Sequence, residues 1–282
     1  MTSLKISSKV SKGIHLYVSP PMHNLKYIHF SLINLEKNDK VILESEGKES
    51  VLIPLEGFFE IQVDSESFGK VGRSSPFVEP PDVIVIPPNS NLKINNMKAK
   101  SQIAIVSSPG KGDFTPSLIS KYEIKSFWRG TFNWRRKIRN LLPEDSSLSH
   151  LIIGETINPP GFWSSVPPHK HDTMDPPEKI ALEEIYFFKV FPKQGFGIQW
   201  IYTDDTSPIS LDEVYVVRDS DLIVIPAGYH PVVAGPGYSL YYLWVLAGPI
   251  KRMPPLDFDK THRWILDCES ILKYTLDPFD FS

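Results

Sequence analysis

The chain has 282 residues, and 30 lysines and arginines against 33 aspartates and glutamates give it a formal net charge of −3. This length suits one large domain or two modest ones with a buried core. Hydrophobic residues make up 41% and charged residues 22%, which excludes a disordered chain. The near-neutral charge argues against a protein that coats nucleic acid. Twenty-six prolines and 12% aromatic residues favour stiff turns between aromatic strands, and so an all-β fold.

The sequence has none of the features expected of a secreted or membrane protein. Cys268 is the single cysteine, which excludes an internal disulfide and a cysteine-based metal cluster. The first residues lack the apolar segment and small residues of a secretory signal. The most apolar stretch, residues 240–249, is about half the ~20 residues that a membrane span needs. We therefore expect a cytoplasmic protein without membrane or nucleic-acid partners.

Short apolar runs, rich in β-branched and aromatic residues, alternate with Pro, Gly, Asn and Asp along the whole chain. Such runs have the length and composition of strands, and their regular spacing predicts a sandwich or barrel. The predicted strands cover residues 26–35, 51–53, 58–63, 83–86, 184–190, 196–203, 211–218, 222–225 and 240–246. Only two short helices are expected, near residues 116–121 and 261–274.

A partial repeat divides the chain. Asp82-Val-Ile-Val-Ile-Pro-Pro-Asn resembles Asp221-Leu-Ile-Val-Ile-Pro-Ala-Gly, and the offset from 82 to 221 is 139 residues, about half the chain. The repeat predicts a duplicated β domain, with one unit over residues 1–108 and the second over residues 151–282. Residues 109–150 are polar and basic and are expected to connect the two units.

Histidines cluster in the second unit. His169 and His171 form an H-x-H pair, and on a strand two such side chains project from one face. His230 follows the turn Ile225-Pro-Ala-Gly-Tyr, and Glu184 begins a predicted aromatic strand. A single histidine in such a turn is more often structural. Together, however, three imidazoles and one carboxylate, with positions left for water or substrate, suit a divalent transition metal.

The order H-x-H, then E, then P-x-G-x-H resembles that of the cupin double-stranded β-helix. In the usual cupin pattern the glutamate follows the second histidine by only a few residues, a spacing that Glu178 fits better. Glu178 follows a turn at Asp175-Pro-Pro, however, whereas Glu184 heads a strand and is expected to point inward with Tyr186 and Phe188. We therefore predict that Glu184 completes the set of ligands.

Longer segments resemble the 5-deoxy-glucuronate isomerase family of bicupins. They are Glu184-Ile-Tyr-Phe-Phe, Phe196-Gly-Ile-Gln-Trp-Ile-Tyr-Thr-Asp, Pro226-Ala-Gly-Tyr-His-Pro-Val, Gly237-Tyr-Ser-Leu-Tyr-Tyr-Leu and, in the first half, Pro80-Pro-Asp-Val-Ile-Val-Ile-Pro-Pro. The stretch from Arg129 to Leu142 is also similar to that family's connecting segment, but Phe132 stands where the family has glycine. The resemblance implies an all-β bicupin, with two double-stranded β-helix (jelly-roll) domains.

The resemblance also implies an aldose–ketose isomerisation in inositol catabolism, from 5-deoxy-glucuronate to 5-dehydro-2-deoxy-gluconate. A proton leaves the carbon next to the aldehyde and an enediolate forms, so a divalent metal is expected to lower the barrier as a Lewis acid. Zinc or manganese would serve, because no redox change is needed. The expected ligands are His169, His171, Glu184 and His230, and the sequence does not identify the catalytic base.

Four other residues are predicted to contact the uronic acid substrate. Arg129 or Arg136 would hold its carboxylate, because a guanidinium offers a bidentate fork, although a basic connecting segment is often only a solvated surface. Gln199 and Tyr242 lie on strands expected to face the barrel interior, where they would line the substrate pocket or simply pack in the core.

The first unit has no H-x-H pair, and Asn89 and Ser90 stand in the place of the turn that ends at His230. We therefore expect a metal-free cupin there, serving packing or assembly, and a homo-oligomer. Three other functions stay open. They are a 4-deoxy-5-keto-uronate isomerase of the same branch, a cupin dioxygenase that uses ferrous iron, and a non-enzymatic sugar-binding cupin.

Overall fold

The computed structural model describes residues 3–7, 9, 11–110, 112–143, 145–253 and 255–275. The outermost residues of both predicted units, 1–2 and 276–282, lie outside the described residues, as do single positions within the predicted segments. Within the described residues the chain forms 22 strands, two 3-10 helices (Met22–Asn24 and Phe132–Trp134) and one α-helix.

The elements of the first 110 residues are nine strands. They are β1 (Lys5–Ile6), β2 (Gly13–Val18), β3 (His29–Glu36), β4 (Lys40–Glu44), β5 (Lys48–Val63), β6 (Glu66–Arg73), β7 (Val83–Ile86), β8 (Asn91–Asn96) and β9 (Lys100–Pro109).

The remaining elements are thirteen strands and the α-helix. They are β10 (Ser117–Ile119), β11 (Ser126–Arg129), β12 (Arg136–Asn140), β13 (Leu151–Asn158), β14 (Trp163–Ser164), β15 (His169–Lys170), β16 (Glu183–Phe191), β17 (Gly197–Tyr202), β18 (Asp212–Val217), β19 (Leu222–Ile225), β20 (Val232–Ala234), β21 (Ser239–Ala247), β22 (Asp257–Phe258) and α1 (Trp264–Thr275).

In the first half, two sheets share the long strand β5. Its beginning lies in the order β10-β7-β5-β9-β3-β2, and its end pairs with β6 and β8, while β8 also pairs with β4. Buried side chains such as Ile33, Phe59, Ile84 and Ile94 fill the space between these sheets. Apolar residues on the facing sides of two sheets are the driving force for this jelly-roll arrangement.

The second half repeats the design with a seven-stranded sheet, β1-β19-β16-β21-β13-β12-β11, and a four-stranded sheet, β14-β20-β17-β18. Side chains alternate along β16: Tyr186 and Phe188 point into the barrel, while Ile185 and Phe187 point outward. The outward side chains pack against the first half in one shared core that includes Phe30. The two halves are therefore joined by a continuous hydrophobic interface.

The strand order and register show that the sequence repeat has a structural basis. The order β2-β3-β9-β5-β7 in the first half corresponds to β12-β13-β21-β16-β19 in the second. Ser50 lies opposite Ile86 as Glu184 lies opposite Ile225. After each repeat the turn contains a positive φ, 59° at Asn89 and 86° at Gly228. The predicted all-β fold with two jelly-roll units is confirmed.

Residues 109–150 contribute strands to both halves. β10 pairs with β7 of the first half, and β11 and β12 extend the seven-stranded sheet of the second. The predicted helix near residues 116–121 is wrong, because pairing with the exposed edge of β7 gives this segment its backbone hydrogen bonds as β10. The second predicted helix is present as α1. No helix among the described residues is long and apolar enough to cross a membrane.

Candidate metal centre and active-site cavity

The two histidines of the H-x-H pair reach one cavity from a short strand. His169 lies on β15 opposite Phe258 of β22, and the backbone carbonyl of His171 accepts a hydrogen bond from Leu182 N–H at 2.9 Å. Their ring centroids are 5.2 Å apart, as expected for side chains that leave the same face of an extended segment.

Glu184 lies on β16 between β19 and β21, and its buried carboxylate meets the histidines. Its Oε2 is 3.3 Å from Nε2 of His171 and 3.3 Å from Nε2 of His230. The adjacent Glu183 faces the other way, where it accepts hydrogen bonds from the backbone N–H groups of residues 26–28 at 2.6 to 2.8 Å. Because side chains alternate between the two faces of β16, Glu184 faces the histidines and Glu183 does not.

A tight turn places His230. Gly228 has a φ of 86°, and a Cβ there would lie 2.3 Å from the carbonyl oxygen of Tyr202, so this position requires glycine. His230 Nδ1 is 3.0 Å from the Gly228 carbonyl oxygen, which leaves Nε2 directed toward Glu184. The Gln199 amide donates hydrogen bonds to the carbonyls of His230 (2.9 Å) and Pro231 (3.1 Å) and so braces the turn from behind.

The convergent atoms have the properties of a metal-binding set. The ligand atoms of His169, His171 and His230 lie within 4.8 Å of one another. His171 Nε2, His230 Nε2 and Glu184 Oε2 are buried without a hydrogen-bond partner, whereas buried polar atoms are normally satisfied. Burial and the neighbouring imidazoles hold the pKa of His169 well below its ordinary value, and burial also lowers the pKa of His230. Both imidazoles are therefore neutral near pH 7 and available to a divalent cation.

A buried lysine fixes the surroundings of this cluster. Lys170 points away from the histidines on either side of it, and its Nζ donates hydrogen bonds to Asp204 Oδ1 at 2.6 Å and Thr206 Oγ1 at 2.7 Å. Tyr229 donates to the second oxygen of Asp204 at 2.8 Å. The H-x-H segment, the loop after β17 and the His230 turn are thus held together by one polar network.

His169, His171 and Glu184 line a cavity of about 470 Å³, and the fully buried His230 meets Glu184 at its edge. Arg136 is 8% exposed and forms part of the cavity wall, where its Nη1 donates to the carbonyl of Trp134 at 3.3 Å. No described carboxylate lies within ion-pair distance of its guanidinium. Arg129 also lines the cavity, from the exposed strand β11. The carboxylate of Glu269 acts on Arg136 from beyond ion-pair distance. A buried cation outside a direct ion pair favours an anionic ligand.

Hydroxyl groups line the wall beside Arg136. Tyr242 OH donates to Ser164 Oγ at 2.9 Å, and Tyr186 OH is 3.3 Å from Ser165 Oγ. The two tyrosine rings stack with centroids 4.4 Å apart. Burial raises the pKa of both phenols, so they are protonated hydrogen-bond donors near pH 7.

The structure brings together most of the residues predicted from the sequence. The three histidines and Glu184 meet, and Arg129, Arg136 and Tyr242 line the same cavity. Gln199 differs: it is fully buried behind the His230 turn and lies outside the cavity lining, because its amide is engaged with backbone carbonyls. Tyr186 and Ser165 were not predicted as site residues, and only the position of Tyr186 two residues after Glu184 carried a sequence signal.

Phe132 departs from the glycine that the resemblance implies, and the backbone shows why glycine suits this position. Its φ is 47°, in the left-handed region that side chains other than glycine rarely adopt. The ring is 58% exposed and makes an edge-on contact with Trp134 at 6.5 Å between centroids. The turn is therefore formed here with phenylalanine at the position where the family has glycine.

Two jelly-roll halves, with three imidazoles and one carboxylate converging in the second, define a bicupin with a cluster of potential metal ligands. The model of the KduI/IolB family matches residues 4–265. The chain therefore belongs to the KduI/IolB family.

Named relatives match nearly the full chain. The 5-deoxy-glucuronate isomerase of Geobacillus kaustophilus is 35% identical over 264 residues, 93% of this chain and 94% of that protein. The 5-deoxy-glucuronate isomerase of Bacillus subtilis strain 168 is 33% identical over 266 residues, 93% and 96% of the two chains.

Solved structures agree with the fold. An IolB-like protein from Salmonella typhimurium LT2 superposes with a TM-score of 0.88 at 31% identity, over 94% of this chain and all of that one. Oxalate decarboxylase of Lactobacillus farciminis superposes with a TM-score of 0.63 at 12% identity, over 89% and 87% of the two chains. The second likeness concerns the fold alone.

Proposed function

We propose that this protein is an aldose–ketose isomerase that converts 5-deoxy-glucuronate to 5-dehydro-2-deoxy-gluconate. The observation that carries the proposal is one cavity lined by His169, His171, Glu184 and a buried Arg136 without an ion-pair partner among the described residues. His230 completes the cluster through its contact with Glu184 at 3.3 Å. A chelating centre and a cation are the two features that a uronate with a reactive carbonyl needs. The names of the relatives from Geobacillus and Bacillus support the same reaction.

The four clustered side chains would hold a divalent metal, zinc or manganese. When bound, such an ion supplies Lewis-acid polarisation of the substrate carbonyl and of the neighbouring hydroxyl. Its fit to the site rests on the buried, unpartnered Nε2 atoms of His171 and His230 and on Glu184 Oε2.

The chain's own residues orient the substrate. The guanidinium of Arg136 binds the carboxylate, and its burial makes this ion pair stronger than one at the surface. The protonated hydroxyl of Tyr186 donates a hydrogen bond to a substrate oxygen as negative charge develops during enolisation. The Tyr242 hydroxyl donates to Ser164 and fixes this wall of the cavity. Trp244 and Leu246 on the same wall exclude water from the reacting carbons.

We also propose that only the second half of the chain binds a metal. Residues 1–108 would form a cupin without metal ligands, residues 109–150 a connecting segment and residues 151–282 the metal-binding cupin. Ser50 at the position that corresponds to Glu184 supports this division, because a serine hydroxyl is a poor ligand for zinc or manganese. A homo-oligomer and a cytoplasmic location are further predictions.

The test combines metal analysis with an isomerisation assay. Purified protein is analysed for bound metal and incubated with 5-deoxy-glucuronate and, separately, with 4-deoxy-5-keto-uronate, and conversion is followed by NMR. We expect turnover of the first compound, loss of turnover after chelation and recovery on adding zinc or manganese. Faster turnover of the second compound would assign the other isomerase, oxygen uptake a dioxygenase, and binding without turnover a sugar-binding cupin.

A matched pair of variants tests the metal centre. His171→Ala should lose metal and activity together with little change in fold, because His171 lies at a cavity and not within the hydrophobic core. His15→Ala replaces a half-buried histidine on β2 that contacts the Ser11 carbonyl oxygen and lies in the first half, and it should change neither metal content nor activity. Full activity of the metal-stripped protein would refute the proposed mechanism.

A further inference from the structure

The first half contains a cavity of its own. It has a volume of about 230 Å³ and lies among β2, β3, β5 and β9. One side is polar, with His29, Ser31, Lys48, Ser50 and Ser107, and the other side is mainly aliphatic. Ser45 and the exposed Glu44 also contribute to the lining. None of these residues belongs to the metal cluster or its cavity.

This cavity occupies the place in the first barrel that the metal cavity occupies in the second. In the register of the first sheet, His29 lies opposite Ser107, Ser107 opposite Ser50, and Ser50 opposite Ile86. Residues directly opposite each other in neighbouring strands share one face of the sheet, so this polar row lines the barrel interior. The corresponding row in the second half runs through Leu246, Glu184 and Ile225.

The polar row has the chemistry of a ligand site but not of a metal site. Ser50 Oγ and Ser107 Oγ are 2.8 Å apart and can donate and accept hydrogen bonds, and Ser31 adds a third hydroxyl. Burial, with a contribution from Lys48, lowers the pKa of His29, so its neutral imidazole offers one donor and one acceptor. This cavity holds one imidazole and one exposed carboxylate, whereas the metal cluster of the second half has three imidazoles and a buried carboxylate.

Two charged residues contribute to the lining, the cation Lys48 and the exposed carboxylate Glu44, whose charge is screened by solvent. The Lys48 side chain is 29% exposed, and its Nζ lies 3.8 Å from Glu46, a residue whose side chain is itself 74% exposed. This long ion pair in solvent is weak, so Lys48 can exchange it for an incoming carboxylate. On the other wall, Ile86, Leu92 and Ile105 present an apolar surface suited to the C–H face of a sugar.

We propose that the first cupin binds a short sugar acid and does not convert it. Lys48 pairs with the carboxylate, His29 and the three serines bind hydroxyl groups, and the aliphatic wall covers the ring or chain. The volume is below the range of roughly 300–1,000 Å³ for drug-sized ligands, which suits a ligand of about a dozen non-hydrogen atoms. This site does not depend on the isomerase proposal, because it shares no residue with the metal cavity.

The decisive experiment removes the metal cavity as a binding site. In the full-length double variant R136A/H171A, binding of D-glucuronate is measured by saturation-transfer NMR and compared with binding of D-glucose. We expect glucuronate to bind, and the further substitution Ser107→Leu, which fills the cavity, to weaken binding at least tenfold. Ser117→Leu, on the exposed strand β10, is the matched control and should have no effect.

Lys48→Met in the same double variant tests the charge. It should remove the preference for glucuronate over glucose while leaving weak binding of both. The single variant Ser107→Leu should retain wild-type isomerase activity, and Ser31→Leu replaces it if Ser107→Leu does not fold. No glucuronate binding to R136A/H171A, or binding unchanged by Ser107→Leu or Ser31→Leu, would overturn this site and leave the isomerase proposal intact.

Discussion

Asp172 Oδ2 accepts a hydrogen bond from the backbone N–H of Gly228 at 2.9 Å. The carbonyl of Gly228 in turn contacts Nδ1 of His230 at 3.0 Å, and Asp172 directly follows His171 in the chain. Ser207 Oγ donates to the same carboxylate oxygen at 2.7 Å. One carboxylate therefore couples the two segments that carry the histidines.

Asp172→Ala should weaken metal binding. The substitution frees the Gly228 turn, and groups that orient metal ligands are worth about 10–100-fold in metal affinity. Affinity is measured by competition of zinc between the protein and a chromogenic chelator. Asp172→Asn should recover less than full affinity, because its side-chain oxygen can still accept the Gly228 hydrogen bond while the charge is lost.

The control for Asp172 is Asp205→Ala, an exposed carboxylate of the loop after β17. It should leave zinc affinity unchanged. If Asp172→Ala retains wild-type zinc affinity, the proposed coupling between the H-x-H segment and the His230 turn is refuted.

Arg136→Ala should chiefly impair binding of the carboxylate-bearing substrate. Removing one partner of a buried charge pair costs about 2–5 kcal/mol, which corresponds to a large rise in KM or fall in kcat/KM. Arg136→Lys should recover only part of the lost substrate binding, because an ammonium cannot form the bidentate pair with a carboxylate. Steady-state kinetics with 5-deoxy-glucuronate measure both effects.

Arg129→Ala provides the contrast in the same cavity. Arg129 lies on the exposed strand β11, and exposed ion pairs contribute about 0–1 kcal/mol, so its loss should matter much less. Equal losses in the two alanine variants, or unchanged kinetics in Arg136→Ala, would contradict the role assigned to Arg136.

Glu155→Gln should strongly destabilise the fold. The fully buried carboxylate accepts hydrogen bonds from Arg73 at 2.8 Å, from Arg139 at 2.6 Å and from Tyr241 at 3.0 Å, and it links the two halves. A neutral amide leaves two buried guanidinium groups without their counterion, and breaking such a buried pair costs about 3–5 kcal/mol. Urea unfolding measures the loss, and the exposed Lys12→Ala should show little measurable change.

Glu79 should make stability depend on acid pH. Partial burial alone would raise its pKa, but hydrogen bonds from the Ser74 backbone and from Lys121 lower it from 4.5 to about 2. A pKa that is lower in the folded state contributes stability above the unfolded value, and this contribution is lost as pH falls from 4.5 to about 2. Thermal melts from pH 7 to pH 2 should show wild-type protein losing more stability than Glu79→Gln over that interval. If the stability of wild-type protein and of Glu79→Gln falls equally over that interval, the lowered pKa of Glu79 is contradicted.

Local sequence patterns were sufficient for the histidines and for strands such as β7 and β19, but they did not predict β2, β9 or β13 and divided β5 into two runs. The boundaries of β7 and β19 match the predicted runs 83–86 and 222–225, because buried central strands are continuous apolar segments whose ends are set by charged residues and proline. The H-x-H spacing and the Pro-Ala-Gly turn also specify local geometry. The family and the reaction class followed from such segments, and both agree with the comparisons.

Pairing between distant segments was not readable from these patterns. Residues 117–119 become a strand only because the edge of β7 is available, and β1, from the start of the chain, pairs with β19 in the second half. Hydrogen-bond partners across hundreds of residues depend on the whole fold, which local propensity does not encode.

The sequence by itself determined the all-β fold, its repeat and the clustered histidines with Glu184, since strand periodicity and turn chemistry act over a few residues. The bicupin architecture was implied by the resemblance to a known family. Only the tertiary structure decided that Gln199 braces the His230 turn instead of lining the cavity, and that Asp172 spans two segments. It also decided that Ser50 stands where Glu184 stands in the other half. These relationships are set by sheet register and by which side chains meet across the barrel, and both arise only when distant strands pair.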